Sequence, residues 1–448
     1  MAKRWIAVAG VLLAAAPGAA RGEPPAADAA GGLSLDFGLE LKAHYRDSER
    51  NRFPVNFPLL PGGQPPAESR VLETVEAGTH VELSTVTLRL DAARGERLAA
   101  HAKLDFVDRY DRNPTSTDRE WDVDEAWLRL GREAETATVS GRRGAYVKLG
   151  KFGKFERQDD RHLESYGLAA TAFNRFEDTG VEVGVDLGHL YLKGAATQGN
   201  PVFLRDPNAL AGDHGTPALL RSPPDPELAS GIVIPYDAEV EDPDLGGDLE
   251  LGAGVGLRLG DSAGRLGLDL LAWSYGRRLA ETVALEGTFY GGDLDLLDGP
   301  FGRTPPPALA GDEKREVGAN LWLYAGGFSL FVQLVDQELA GLERTGAEAE
   351  VAWAFELPLV GAVAGRQLFP FVAPAVRWSR LDPDFRNHPL TPAPSFAWEW
   401  EKLDAGVRLG LVQGIAELTV EYADNSFVLG SGAEASNDEL LTTLRWRL

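Results

Sequence analysis

The sequence predicts an all-β fold, a transmembrane antiparallel β-barrel of about sixteen strands. Three observations lead to this class. Apolar and polar residues alternate with a period of two over segments of nine to fourteen residues, the length that a tilted strand needs to cross a bilayer. The connections between these segments alternate between short and long. The start of the chain has the features of an export signal.

The first element in chain order is this export signal. Lys3 and Arg4 precede an apolar run over residues 5–16, and small residues follow at a cleavage site. We therefore assign residues 1–22 to a signal peptide and residues 23–32 to a short periplasmic segment. The apolar run is shorter than the ~20 residues of a spanning helix, so we expect an exported chain without a helical membrane span.

The barrel strands occupy residues 33–448. In the first strand, apolar residues from Leu33 to Tyr45 alternate with polar ones such as Glu40 and Lys42. We expect a closed sheet, because an open edge in lipid would leave backbone N–H and C=O groups unpaired. Sixteen segments of this kind begin near residues 33, 79, 98, 121, 145, 179, 189, 248, 265, 314, 327, 346, 367, 402, 415 and 437.

The connections predict which end of the barrel faces the cell surface. Short turns and long loops alternate, as expected for periplasmic turns and extracellular loops. Residues 131–144 are long for a periplasmic turn, and residues 281–290 fit a further strand, so eighteen strands are an alternative. The short connections are 93–97, 188, 261–264, 326 and 412–414, and the long ones are 47–78, 108–120, 156–178, 198–247, 277–313, 381–400 and 425–436.

Composition excludes several function classes. With 68 Asp and Glu against 44 Lys and Arg, the net charge is -24, which argues against nucleic acid as a partner. The chain has no cysteine, so it forms no disulfide, thiolate metal site or covalent haem attachment. Its seven histidines are scattered without the spacing of a metal site. No catalytic triad is visible, and we expect neither enzyme activity nor a cofactor.

Several motifs carry a family resemblance. The segment from Asp124 to Leu130 (DEAWLRL), followed by Val147 to Glu156 (VKLGKFGKFE), resembles the phosphate-selective porin group of Gram-negative bacteria. The alternating apolar residues that end at Leu448 resemble an outer-membrane assembly signal. The resemblance implies a sixteen-stranded diffusion channel in the cell outer membrane, in contact with lipid and lipopolysaccharide, assembled as a homotrimer, with one outer loop folded into the lumen.

The third long connection, residues 156–178, is the candidate for that inward loop. It concentrates charged side chains that would narrow a pore and set its local field. The alternative is an ordinary solvated loop of mixed charge. The candidate constriction residues are Arg157, Asp159, Asp160, Arg161, His162, Glu164 and Arg175.

The polar faces of the strands predict the pore lining. We select ten residues: Glu40, Lys42, Arg46, Lys103, Asp105, Lys148, Glu182, Glu348, Glu350 and Arg408. All inward acids number sixteen: Asp36, Glu40, Asp91, Asp105, Glu182, Asp186, Asp248, Glu250, Asp269, Glu316, Glu348, Glu350, Glu356, Asp404, Glu417 and Glu421. Inward bases number twelve: Lys42, Arg46, Arg89, Lys103, Arg129, Lys148, Lys193, Arg258, Lys402, Arg408, Arg445 and Arg447.

This balance predicts a channel for ions and small polar solutes with a weak preference for cations. Phosphate selectivity is not expected, because anion capture needs a concentrated ladder of Arg or Lys. Two other functions fit a large acidic barrel. One is a sheath around a periplasmic multihaem electron-transfer protein, which would add a periplasmic partner protein. The other is a polysaccharide exporter.

Overall fold

Sixteen strands build the molecule. The computed structural model describes residues 32–49, 52–55, 70–73, 78–108, 122–133, 143–158, 161–173, 177–199, 202–204, 233–236, 248–260, 266–279, 288–289, 292–293, 311–339, 341–384, 399–428 and 434–448. Within these residues the barrel strands are β1 (Leu33–Ser48), β2 (Gly78–Arg94), β3 (Leu98–Asp108), β4 (Asp122–Gly131), β5 (Arg143–Gly153), β6 (Glu177–Leu187), β7 (Leu190–Thr197), β8 (Glu250–Gly260), β9 (Leu266–Arg278), β10 (Glu313–Ala325), β11 (Phe328–Leu339), β12 (Leu342–Trp353), β13 (Phe371–Asp384), β14 (Glu399–Val412), β15 (Ala416–Val428) and β16 (Glu434–Arg447).

The sheet is closed. Every strand pairs antiparallel with its neighbours in the chain, and β16 pairs with β1, so that Glu40 lies opposite Arg447 and Lys42 opposite Arg445. Closure pairs the backbone groups that an edge would expose to lipid. The predicted fold class is confirmed, and each strand begins within four residues of its predicted start.

The eighteen-stranded alternative is wrong. In the region 281–290, the described residues Thr288–Phe289 pair with Gly292–Asp293 in a separate two-residue hairpin and not with a barrel strand. Two other small hairpins lie in the long connections. They join Arg52–Val55 to Arg70–Glu73 and Val202–Leu204 to Val233–Tyr236.

The alternation places apolar side chains outside and charged ones inside. Leu33, Phe37 and Leu334 are more than half exposed on the outer surface, whereas charged residues such as Arg377 and Asp404 are fully buried within the barrel. This is the reverse of a water-soluble protein and is the arrangement of a barrel whose exterior faces lipid. No helix among the described residues is long and apolar enough to cross a membrane.

Glycines on the inward face leave room for aromatic rings. Three of these glycines, Gly252, Gly254 and Gly256, lie at alternate positions of β8. A Cβ at Gly254 would lie 2.9 Å from the ring of Phe155, and rings of Tyr275 and Tyr191 occupy the space at Gly252 and Gly256. Small residues on one strand thus accommodate large residues from its neighbours.

One periplasmic connection is longer than the sequence predicts. After β12, Phe355–Glu356 continues the pairing with β13, and residues 357–370 form what we call the periplasmic hairpin, in which Ala362–Val363 pairs with Arg366–Gln367. Ala364 and Gly365 at its tip have φ of 48° and 78°, as in the two-residue turns that match strand twist. The sequence pattern instead predicts that β13 starts near residue 367, within this hairpin.

Candidate functional site: a charged segment across the lumen

The chain that links β5 to β6 runs through the interior of the barrel. We call residues 154–173 the lumenal segment; its described parts are 154–158 and 161–173. Its partners are inward-facing side chains of β8 to β16 and β1. The segment therefore lies inside the barrel and not above its rim. It ends in the short helix α1 (Leu168–Ala172). Asp159, Asp160 and Arg175 lie outside the described residues.

The beginning of the segment is fastened to β8, β9, β10 and β11. Lys154 pairs with Glu250, which also binds Lys314 at 2.6 Å. The Tyr275 hydroxyl donates to the Glu156 carboxylate at 2.8 Å. The amide of Asn320 donates to the Glu156 carbonyl at 2.5 Å. Burial alone would lower the pKa of Lys154, but Glu250, Asp178 and Glu156 outweigh it and raise that pKa.

The middle of the segment is held by hydrogen bonds from its backbone to carboxylates of the wall. Glu350 accepts the backbone N–H of His162 at 2.9 Å and faces the imidazole Nδ1 at 3.1 Å. Glu421 accepts the N–H groups of Glu164 and Ser165 at 3.0 and 2.8 Å. Two carboxylates thus receive donors that would otherwise lie unpaired in a water-poor interior.

Arg377 links the segment to two neighbouring strands. Its guanidinium donates to the carbonyl and the hydroxyl of Ser165, both at 2.7 Å, and to Asp404 at 2.7 Å. Lys402 donates to the Tyr166 carbonyl at 2.8 Å and pairs with Asp404 at 3.1 Å. All of these groups are buried, so their charges are balanced by direct partners, as buried ions require.

Glu164 reaches furthest across the lumen. Its carboxylate lies 2.7 Å from Arg445, 3.6 Å from Lys42 and 3.7 Å from Arg408. Burial alone would raise the pKa of Glu164, but Arg445, Lys42, Arg408 and Arg161 outweigh it and hold that pKa well below its usual range. The carboxylate is therefore ionised and joins the segment to β14, β16 and β1.

Apolar contacts complete the attachment. Leu163 is buried against Ala352 and Ala375, and Leu168 and Phe173 are almost fully buried. Gly346 and Gly406 on the wall lie where a side chain would meet Phe173 and Leu163 respectively. The segment is thus packed against the wall as well as ion-paired to it.

The opposite wall keeps its charges in contact with solvent. Side chains that face inward from β2 to β4 retain exposure, at 28% for Asp91, 26% for Lys103 and 25% for Glu125. By contrast, Glu250, Glu350 and other acids beneath the segment are almost completely covered. The lumen is therefore divided into a filled side under the segment and an open side along β2 to β4.

The ten predicted lining residues divide between these two sides. Glu40, Lys42, Lys103, Asp105, Lys148 and Arg408 face the interior and keep partial exposure. Arg46, Glu182, Glu348 and Glu350 also face the interior, and their side chains are buried. Of the candidate constriction residues in the described chain, Arg157, Arg161 and His162 are partly exposed and Glu164 is buried.

Arg377, which is central to the attachment, is not among the inward bases predicted from the sequence. A signal was present, since Arg377 stands between Val376 and Trp378, and those two residues are on the apolar outer face. The strand pattern alone does not identify the partner of Arg377, because Ser165 is 212 residues away along the chain.

Three carboxylates form the one grouping with metal-ligand geometry in the described chain. Ligand atoms of Asp124, Glu125 and Glu177 lie within 4.8 Å of one another. Lys103 pairs with Asp124, and Arg157 pairs with Glu177. Because cations of the protein already pair with two of the three carboxylates, we assign no metal site to this cluster.

The closed sheet, the apolar exterior and the charged lumen define the class of this protein, a sixteen-stranded β-barrel of the outer membrane. No protein-family model matches the chain, and no curated protein matches it. Among solved structures, the chain is similar to the outer-membrane channel DcaP of Acinetobacter baumannii, with 10% identity and a TM-score of 0.49 over 94% of this chain and 99% of that one.

Two further solved structures are similar along their whole length. OmpT of Vibrio cholerae has 12% identity and a TM-score of 0.46, covering 93% of this chain and 98% of that one. An anion-selective porin from Comamonas acidovorans has 9% identity and a TM-score of 0.44, covering 93% and 100%. At these values the similarities assign no family, and the class rests on the strand pairing and the apolar exterior.

Proposed function

We propose that the protein forms a water-filled channel through which ions and small hydrophilic solutes diffuse across the outer membrane. The observation that carries this proposal is the solvent exposure of inward-facing charges such as Asp91 and Lys103. A charged side chain stays ionised inside a barrel where water reaches it or where an opposite charge binds it. The exposed charges along β2 to β4 support the first condition, access by water.

We further propose that the lumenal segment is the constriction of this channel. It occupies one side of the lumen and is attached at its beginning through Lys154 and in its middle through Glu164 and through Ser165, which Arg377 binds. Arg157, Arg161 and His162 keep partial exposure, and a permeating solute would meet them first. A lumen that is filled on one side supports a diffusion channel over a sheath, because a sheath must admit a folded protein.

The ion preference depends on which charges reach the passage. Nine of the sixteen inward acids counted in the sequence are buried, against three of the twelve bases. The weak cation preference predicted from the sequence rests on a count in which buried and exposed charges have equal weight. Exposure supports the opposite, a weak preference for anions, since bases such as Arg89 and Lys103 remain at the surface that an ion meets.

Planar bilayers test both parts of the proposal. We expect stable single-channel currents and, in a KCl gradient, a reversal potential that favours chloride modestly. Arg89→Glu should move the reversal potential toward potassium, whereas Arg315→Glu, on the outer surface above the apolar belt, should leave it unchanged. An absence of current would refute the channel. A potassium-selective current in the unmodified protein would refute only the anion preference.

The oligomeric state is a separate proposal. We propose a homotrimer on the strength of the motif resemblance alone. Cross-linking in native membranes would test it, since a ladder that ends at one or two copies contradicts a trimer.

A further inference from the structure

The periplasmic hairpin exposes apolar side chains at the end of the barrel where the short turns lie. Leu359 is 71% exposed, Val360 68% and Phe369 42%. Its position is fixed by backbone hydrogen bonds, from Leu368 to Gly361 at 2.9 Å and from Phe369 to Leu411 at 3.1 Å. A defined structure therefore presents these side chains, and contiguous exposed apolar surface of this kind marks an interaction site.

The charge of the hairpin is unusual for this chain. Residues 357–370 contain one charged side chain, Arg366, and no acid, in a protein with 68 acids and 44 bases. Arg366 is exposed and donates to the Gln413 carbonyl at 3.2 Å. Apolar side chains beside a single exposed cation complement a phospholipid surface, whose phosphates attract Arg while its acyl chains accept the apolar groups.

The lipid-facing belt is uneven around the barrel. On β1 outward apolar residues run from Leu33 to Tyr45, about 30 Å along the membrane normal at a rise of ~3.3 Å per residue and a tilt of ~40°. On β11 they run only from Phe328 to Leu334, about 15 Å by the same geometry, before Asp336 faces outward. This is less than the roughly 25 Å of apolar height that a barrel needs.

The hairpin lies close to β11, where the apolar surface is short. It extends β12 and β13, and β12 is the neighbour of β11. Aromatic rings connect the two surfaces, since Phe328 contacts Trp353 with ring centroids 5.9 Å apart and Trp353 stacks on Phe355 at 5.6 Å. The apolar surface therefore continues from the belt through these rings toward the hairpin.

We propose that the periplasmic hairpin lies in the inner leaflet of the outer membrane and supplies the apolar height that β11 lacks. Leu359, Val360, Val363 and Phe369 contact phospholipid acyl chains, and Arg366 lies at the level of the phosphates. The hairpin thereby reduces the mismatch between this side of the barrel and the bilayer. The proposal depends on the barrel and its lipid-facing surface and is independent of the channel function.

Single-cysteine labelling tests the proposal directly, because the natural chain has no cysteine. Val360→Cys and, as a second site, Val363→Cys are labelled with an environment-sensitive fluorophore. The matched control is Glu96→Cys in the short turn between β2 and β3, where the Glu96 side chain is 63% exposed. Each protein is reconstituted in vesicles of phosphatidylethanolamine and phosphatidylglycerol, with and without brominated acyl chains, and iodide is present on both sides.

We expect brominated lipid to quench the labels at 360 and 363 at least twofold while iodide has little effect, with the reverse pattern at 96. Iodide quenching at 360 and 363 as strong as at 96 would overturn the proposal, because the hairpin would then lie in water. Protection from both quenchers would overturn it as well, since a second copy or another protein would then cover the hairpin.

Discussion

At the scale of single residues, Glu164 links the lumenal segment to three strands of the wall. Lys42 and Arg445 lie directly opposite each other on β1 and β16, and like charges in this position repel. Glu164 pairs with both. A single carboxylate therefore fastens the segment and neutralises a repulsion in the wall.

Replacing this carboxylate should loosen the segment. Glu164→Gln keeps the shape but removes the charge, and breaking a buried ion pair on one side costs roughly 3 kcal/mol. We expect a lower unfolding midpoint in denaturant and a noisier, larger single-channel current. Glu96→Gln is the control, since its carboxylate is largely exposed. Equal midpoints for the two variants would contradict the role of Glu164.

The pH dependence of this effect has a definite sign. The pKa of Glu164 is held well below its usual value of 4.5, so ionised Glu164 stabilises the folded state fully above the unfolded pKa and loses this effect as pH falls through the folded pKa. The stability difference between wild type and Glu164→Gln should stay constant from pH 7 to pH 5 and shrink in stronger acid. A difference that already shrinks between pH 7 and pH 5 would place this pKa higher.

At the scale of elements, the barrel strands were predictable and the lumenal contacts were not. Each strand carries its own signal, because lipid outside and charge inside impose a period of two on every one of them, as in the alternation from Leu33 to Arg46. The pairing of Arg377 with Ser165 depends on how a loop folds in space, and no local pattern encodes it. The periplasmic hairpin was missed because its continuous apolar residues resemble strand ends.

The fit between segment and wall can be tested at one glycine. A Cβ at Gly406 would lie 2.7 Å from Leu163 Cδ2 and 2.8 Å from the Val420 carbonyl, so Gly406→Val should displace the segment at a cost of about 1–3 kcal/mol from overpacking. Thermal unfolding and channel conductance would both report the change. Gly38→Val is the control, because the one neighbour of its Cβ, in Arg89, lies at an ordinary 3.8 Å. Equal effects of the two variants would show that the segment does not pack on Gly406.

At the scale of the whole molecule, the lumenal segment and the closure of the barrel are energetically connected. The closing pair β1 and β16 brings Lys42 next to Arg445, and the segment enters the lumen to place Glu164 against both. A barrel that closed with the segment outside would keep the repulsion. Closure of the wall and insertion of the segment should therefore favour each other.

A double-mutant cycle between Lys42 and Glu164 measures this connection. Lys42→Met removes the repulsion with Arg445 and also one partner of Glu164, so alone it should change the unfolding free energy little. In combination with Glu164→Gln it should recover a measurable part of the stability that Glu164→Gln loses, on the order of 1 kcal/mol for residues in contact. Denaturant unfolding of the four proteins in detergent gives the coupling energy. Additive effects would mean that the segment and the closing strands are stabilised independently. As a control, the same cycle with Lys151→Met in place of Lys42→Met should be additive, because Lys151 lies on the outer face of β5.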